Sequence, residues 1–214
     1  MKITIRADSV QIEGYVNAVG RDSRKITDEY GNAFVEQIRP GVFGMALNRA
    51  KEDIPVLLDH DPTRRLGDTG SNLKLEEDTI GLHADVLITD PAIVELARSQ
   101  KLSGWSFGFI PLDTDVTYDY DNHVERRVVT ELELHEVSII DDAMTPVYAG
   151  TSIHARANDN KKITLRAMDN DTVAYISEEV APVQEPVNTE NRAKEPQKPV
   201  DYKKYHETIG RLRR

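Results

Sequence analysis

The 214 residues contain no cysteine, a single tryptophan and only four phenylalanines. Without cysteine there can be no disulfide, no zinc–thiolate centre and no cysteine nucleophile. No run approaches the ~18 apolar residues that a membrane span requires. The opening residues, Met1-Lys2-Ile3-Thr4-Ile5-Arg6-Ala7-Asp8, become charged at once and lack the apolar stretch of a secretory signal. Positive charge is also scarce. Met1–Gly150 carries 15 Lys and Arg against 27 Asp and Glu, a net −12, while the remaining 64 residues carry 12 against 10, a net +2. An acidic body lacks the basic footprint of a generic nucleic-acid binder and fits a soluble protein or one with basic partners. The expectation is a soluble, cytoplasmic protein with no nucleic-acid and no membrane partner.

What is present is mostly strand-like. Alternating or apolar runs occur at Val10–Val19, Ala33–Ile38, Ile54–Leu58, Gly81–Ile88, Trp105–Leu112 and Val128–Ile140. Tyr30-Gly31-Asn32 lies between two such runs and reads as a hairpin turn. Two helices are expected. One begins near Pro40-Gly41 and covers Val42 to Lys51, with Val42, Met45, Ala46 and Arg49 at helical spacing. The other opens with Asp90-Pro91 and runs through Ile93, Val94, Leu96 and Ala97 to about Gln100. Strands outnumber helices and do not alternate with them, so the pattern predicts a mainly β, α+β chain. An antiparallel or mixed β-barrel surrounded by a few helices fits it better than a doubly wound sheet.

After Gly150 the character changes. Asn158-Asp159-Asn160-Lys161-Lys162 is polar, and Pro182, Pro186, Pro196 and Pro199 punctuate a stretch rich in Glu, Gln, Asn and Lys. Such a segment has too little apolar surface to offset its ordering entropy. The expected division is a folded domain over 1–153 and a flexible tail over 154–214, ending in a short basic helix at Tyr202–Arg214.

Three segments place reactive groups at positions where a strand favours inert ones. In Gly104-Trp105-Ser106-Phe107-Gly108-Phe109, the aromatics Trp105, Phe107 and Phe109 share one strand face, and Ser106, Gly108 and Ile110 share the other. The aromatic face suits a core, which leaves Ser106 and Gly108 on a small surface that another extended backbone could approach. The same residues match G-x-S-x-G, but a nucleophile elbow needs a strand before the serine and a helix after it. Here the order is reversed, so Ser106 reads as a strand-borne serine. His60 ends the apolar run Ile54-Pro55-Val56-Leu57-Leu58 and is bracketed by Asp59 and Asp61, with Pro62 enforcing a turn. Nearby carboxylates favour the imidazolium. His83, His123, His154 and His206 have no comparable setting.

In Leu132–Ile140, strict alternation puts Leu132, Leu134, Glu136, Ser138 and Ile140 on one face, with Glu133, His135, Val137 and Ile139 opposite. A carboxylate on a leucine face needs a hydrogen-bonding partner, and a histidine ring N–H is suitable. A bulge would exchange the two faces. Glu136 is the better third member of a Ser–His–acid set, with His135 as the alternative. For each residue a plainer reading exists: a solvent-facing serine, a loop histidine and a strand-end glutamate.

The segments in order resemble the tailed-phage prohead (head-maturation) serine proteases, which are distantly similar to the herpesvirus assemblins. The resemblance covers most of 10–150. It rests on Gly14-Tyr15-Val16 and on Phe34-Val35-Glu36-Gln37-Ile38-Arg39-Pro40-Gly41-Val42-Phe43, which is similar to the family's E-x-I-x-P-G-x-F segment. It continues through Val56-Leu57-Leu58-Asp59-His60-Asp61 with Leu66-Gly67, through Leu102-Ser103-Gly104-Trp105-Ser106-Phe107-Gly108-Phe109, and through Glu133–Ile140 followed by Ala143 and Pro146. One departure is Leu58-Asp59, where the family usually has a hydrophobic or aromatic residue followed by a small one.

The resemblance implies a herpesvirus-protease-like fold and a serine endopeptidase with His60 as general base, Ser106 as nucleophile and Glu136 as orienting acid. Assemblins use a second histidine as third member, which keeps His135 in view. No cofactor and no metal is implied. The implied substrate is the scaffold portion of the phage major capsid protein, cut inside the prohead in the bacterial host cytoplasm, and then often the protease itself, here somewhere in 150–200. A homo-oligomer is expected. The basic end Arg211-Leu212-Arg213-Arg214 could dock on an acidic scaffold or capsid surface. Arg126, Arg127 or a backbone N–H near Ser106 are candidates for the oxyanion site. The competing classes are a non-enzymatic β-rich scaffolding or capsid-associated protein and a small serine esterase.

Overall fold

The computed structural model describes residues 1–28, 30–142, 153–156, 162–167 and 175–178, all within one compact unit, Met1–Ala181. The first sheet contains β1 (Lys2–Ile5), β2 (Val10–Ala18), β7 (Leu73–Glu77), β8 (Gly81–Ile88) and β13 (Tyr175–Glu178), in the order β13-β1-β2-β8-β7. The second is mixed. Its order is β11 (Ile153–Arg156), β12 (Lys162–Ala167), β9 (Leu102–Asp119), β10 (Val124–Asp141), β4 (Ala33–Ile38), β3 (Ile26–Thr27). Two further strands, β5 (Pro55–Leu58) and β6 (Asp61–Asp68), join it through β10. Among the described residues the strands form these two sheets and no closed barrel, which corrects the barrel expectation while the mainly β, α+β class stands.

The reason lies in β9 and β10. They are 18 residues each, pair antiparallel along almost their whole length, and are joined by the turn at Tyr120–His123. β10 then lends its other edge to two separate parallel partners. β4 pairs with Glu125–Val129, and β5 pairs with Val137–Ile139. Both strands run past the expected ends at Leu112 and Val128: the outer part of β9 is largely exposed, with Val116 and Tyr118 facing solvent, and on β10 the charged run Glu125-Arg126-Arg127 interrupts the apolar pattern.

Apolar side chains from both sheets make one core. Ile3, Val10, Ile12, Val16, Leu82, Ala84 and Val86 come from the first sheet. Trp105, Phe107, Phe109, Val129, Leu132, Leu134, Val137 and Ile139 come from the second.

Both expected helices are present, α1 at Val42–Arg49 and α2 at Pro91–Arg98. Asp90 caps α2, accepting from Ala92 N at 2.8 Å, with Pro91 in the first turn where its missing N–H costs nothing. α1 has no local side-chain cap. Instead Glu77, on β7, accepts from Gly41 N and Gly44 N, each at 2.6 Å, satisfying two orphan donors from another sheet. The buried face of α1 is Val42, Phe43 and Ala46, and Met45 is exposed, a rotation from the expected stripe. The hairpin turn is also present: Asp28 N donates to Asn32 O and Gly31 takes φ 86°.

Strands also occur past residue 153, where a tail was expected. β12 pairs antiparallel with β9 and β13 pairs parallel with β1. The pairing partners of β12 and β13 lie about 60 and 170 residues away, a relation that local periodicity does not report. The remainder of 143–214, including Ala143, Pro146 and the basic end Arg211–Arg214, lies outside the described residues.

Candidate active site

His60 stands at the tip of a two-residue hairpin. Leu58 pairs with Asp61, and the loop residues Asp59 and His60 both take positive φ, 53° and 59°. A turn of this kind requires φ > 0 at both positions and normally selects Asn or Gly, so an imidazole there is held by its surroundings. Those surroundings are the end of β10. Asp59 N donates to Ile139 O at 3.0 Å, Asp141 N donates to the Asp59 carboxylate at 2.9 Å, and His60 N donates to Ser138 Oγ at 3.2 Å. The turn is therefore made by Asp59 and His60, and Pro62 lies beyond it in β6.

Glu136 reaches the imidazole from β10. Its Oε1 is 2.7 Å from His60 Nδ1, and its Oε2 accepts from Ser138 Oγ at 2.5 Å. Both side chains of the pair are about nine-tenths buried. The face assignment from simple alternation is corrected here. The β9–β10 register shifts between Leu134 and Glu136, leaving His135 as the extra residue of a bulge. Leu132 and Leu134 before the bulge, and Val137 and Ile139 after it, all enter the core. Glu136 and Ser138 consequently turn to the opposite face, where they sit across from Gly108 and Ser106. Ser106, Ser138 and Glu136 are all buried.

Gly108 is what gives the carboxylate its place. A Cβ built there would come within 2.6 Å of Glu136 Oε1, whereas one at Gly104 would meet nothing within 4 Å. Only the second glycine of the G-x-S-x-G match is required by space.

Ser106 lies near His60, on the strand that pairs with β10. Its hydroxyl donates to Arg166 O, on β12, at 2.7 Å. His135, the alternative third member, points elsewhere. Its Nε2 lies 3.4 Å from Glu133 Oε1, and the ring lines a cleft with Arg49, Glu52, Leu112 and Leu132 that includes neither His60 nor Ser106. Arg126 and Arg127 are engaged at the other end of β10. Arg126 pairs with Asp22 and Asp119. Arg127 pairs with Asp28 and Glu125 and lies over the Phe34 ring. Neither is an oxyanion donor in this arrangement. Among the described residues no group of three or more His, Asp or Glu could hold a metal, and no helix is long and apolar enough to cross a membrane.

Burial pushes the Asp59 carboxyl up, assisted by the charge of Asp141 and opposed by the Asp141 N–H bond. Asp61, on the other side of His60, is held down by hydrogen bonds from Thr63.

A family model described as caudovirus prohead serine protease matches residues 1–166. The chain belongs to that family. It is thus a serine protease of phage prohead maturation. The match names the phage family alone, and no curated protein matches the chain. Sequence reasoning did not single out Ser138. Its signal was the spacing Glu136-x-Ser138, which places two polar residues on one strand face.

Proposed function

We propose that the chain is a serine endopeptidase in which Ser106 is the nucleophile, His60 the general base and Glu136 the residue that orients the imidazole. The observation that carries this reading is the 2.7 Å contact between Glu136 Oε1 and His60 Nδ1, beside a buried serine on the adjacent strand. A proton on Nδ1 donated to Glu136 leaves Nε2 as the free lone pair of the ring. His60 Nε2 takes the Ser106 proton as Oγ attacks a peptide carbonyl. The imidazolium, steadied by Glu136, then protonates the departing amine, and water hydrolyses the acyl-enzyme by the same route. Substrate enters as an extended strand, because the nucleophile itself lies on one.

The substrate is the scaffold portion of the phage major capsid protein, cut within the prohead in the bacterial host. The chain also cuts itself between residues 150 and 200 and acts as a homo-oligomer. Family membership supports the capsid substrate.

The test is labelling of Ser106 by a fluorophosphonate probe, read by intact mass, together with co-expression of the capsid precursor. Labelling that disappears in Ser106→Ala and falls sharply in His60→Ala supports the reading. Cleavage of the precursor by chain carrying Ser106→Ala would sink it. Identical masses of wild-type chain and Ser106→Ala after prolonged incubation would remove self-cleavage.

A further inference from the structure

Arg166 makes two contacts that belong together. Its carbonyl oxygen accepts from Ser106 Oγ at 2.7 Å, so its carbonyl carbon, about 1.23 Å further on, is the peptide carbon placed beside the nucleophile. Its guanidinium forks onto the Glu36 carboxylate, Nε to Oε1 at 2.6 Å and the terminal nitrogen to Oε2 at 3.1 Å. The two charged side chains are only 12% and 11% exposed, and the guanidinium lies 6.0 Å from the Phe109 ring centroid. β12 itself runs antiparallel to β9, with Ala167 opposite Ser106, Arg166 opposite Phe107 and Leu165 opposite Gly108. It therefore lies on the edge of the nucleophile strand that an extended peptide would take.

We propose that Glu36 is a specificity-determining residue that receives a basic side chain from the substrate residue whose carbonyl faces Ser106, and that β12, through Arg166, is the strand resident in that place. The inference rests on Ser106 being the nucleophile. Its physical basis is the cost of an uncompensated buried carboxylate. When β12 leaves the edge of β9, Glu36 loses its bidentate partner, so a replacing strand must return a cation to the same position. Arginine matches the planar fork, lysine supplies the charge alone, and an acidic residue meets like charge. The chain's own strand thereby competes with other substrates for the site.

The test uses the full chain and peptides spanning residues 161–170, with the position of Arg166 kept as Arg or changed to Lys, Gln or Glu. The readout is the peptide concentration that halves fluorophosphonate labelling of Ser106, which requires no turnover. The Arg peptide should protect at a concentration about tenfold to a hundredfold below that of the Gln peptide, with Lys between them and Glu weakest. In Glu36→Gln the gap between Arg and Gln should close, and in Glu36→Arg the order of Arg and Glu should reverse. Arg166→Gln should label faster than wild type, since its resident strand is held less tightly. Equal protection by all four peptides on wild-type chain overturns the proposal, as does an Arg preference that survives in Glu36→Gln. Wild-type chain needs no folding control, so the first of these outcomes stands even if a Glu36 variant misfolds. Labelling without basic preference overturns this inference and leaves the hydrolase reading intact. No labelling in any variant removes the hydrolase reading and this one with it.

Discussion

Glu136 Oε1 lies 2.7 Å from His60 Nδ1, joining a side chain on β10 to one on the β5–β6 turn. If this pair orients the base, Glu136→Gln should lower kcat by roughly 10³- to 10⁴-fold, because the amide can hold the imidazole in the wrong tautomer. Ser106→Ala and His60→Ala should remove essentially all turnover. Glu136→Gln added to His60→Ala should cost nothing further, since members of one catalytic unit are not additive. Single-turnover kinetics on a capsid precursor would check all four.

The two glycines around Ser106 should behave oppositely. Gly108→Ala puts a methyl group within 2.6 Å of Glu136 Oε1, so either the carboxylate or the strand must move. A loss of about 1–3 kcal/mol in stability is expected, with a fall in kcat. Gly104→Ala has open space and should change stability by less than about 0.5 kcal/mol. Urea denaturation and activity of the two variants, side by side, decide this.

Ser138 links both partners, donating to Glu136 Oε2 and accepting from His60 N. Ser138→Ala leaves a buried carboxylate oxygen and a backbone N–H with one partner fewer each. The expected cost is about 1–3 kcal/mol, with kcat down roughly tenfold or more as the His60 turn loosens. Retention of full activity would show that the Asp59 contacts hold the turn unaided.

Asp59 sets a pH dependence with a definite sign. Its carboxyl is raised by burial, so the folded state holds the proton more tightly than the unfolded chain does. Its contribution is most favourable below the ordinary carboxylate value near 4 and is lost as pH rises through the raised folded value. Asp59→Asn tolerates the positive φ and can still accept from Asp141 N. Across that window the stability of the variant should fall less with rising pH than that of wild type. Asp28, Asp61, Asp68, Asp78 and Asp119 are held down and act in the opposite sense, losing their contribution as pH falls through their lowered values. The difference between Asp59→Asn and wild type isolates Asp59, and thermal melts across the acid range would measure it.

Much of the architecture could be read locally. The Asp90-Pro91 start of α2, the Gly31 turn and the six long strand runs all follow from pattern within a few residues. What escaped was whatever depended on a distant partner. The cap of α1 comes from Glu77, more than thirty residues on. The bulge at His135 moves Glu136 off the face that alternation assigned to it, a consequence of pairing with β9. β12 carries a brief alternation, Ile163 and Leu165 against Thr164 and Arg166, but its polar and proline-rich surroundings outweigh six residues until the free edge of β9 gives them a partner.

The sequence by itself determined which groups were available. It excluded cysteine chemistry, put the hydroxyl of Ser106 between two glycines and opposite three aromatics, and ordered His60, Ser106 and Glu136 in segments similar to those of prohead proteases. Only the tertiary structure decided that Glu136 and not His135 meets His60, that Gly108 is the glycine the site requires, and that Arg166 joins Ser106 to Glu36. The physical reason is that side-chain chemistry is a local property, whereas a bulge, a shared strand edge and a buried ion pair exist only once distant segments are brought into register.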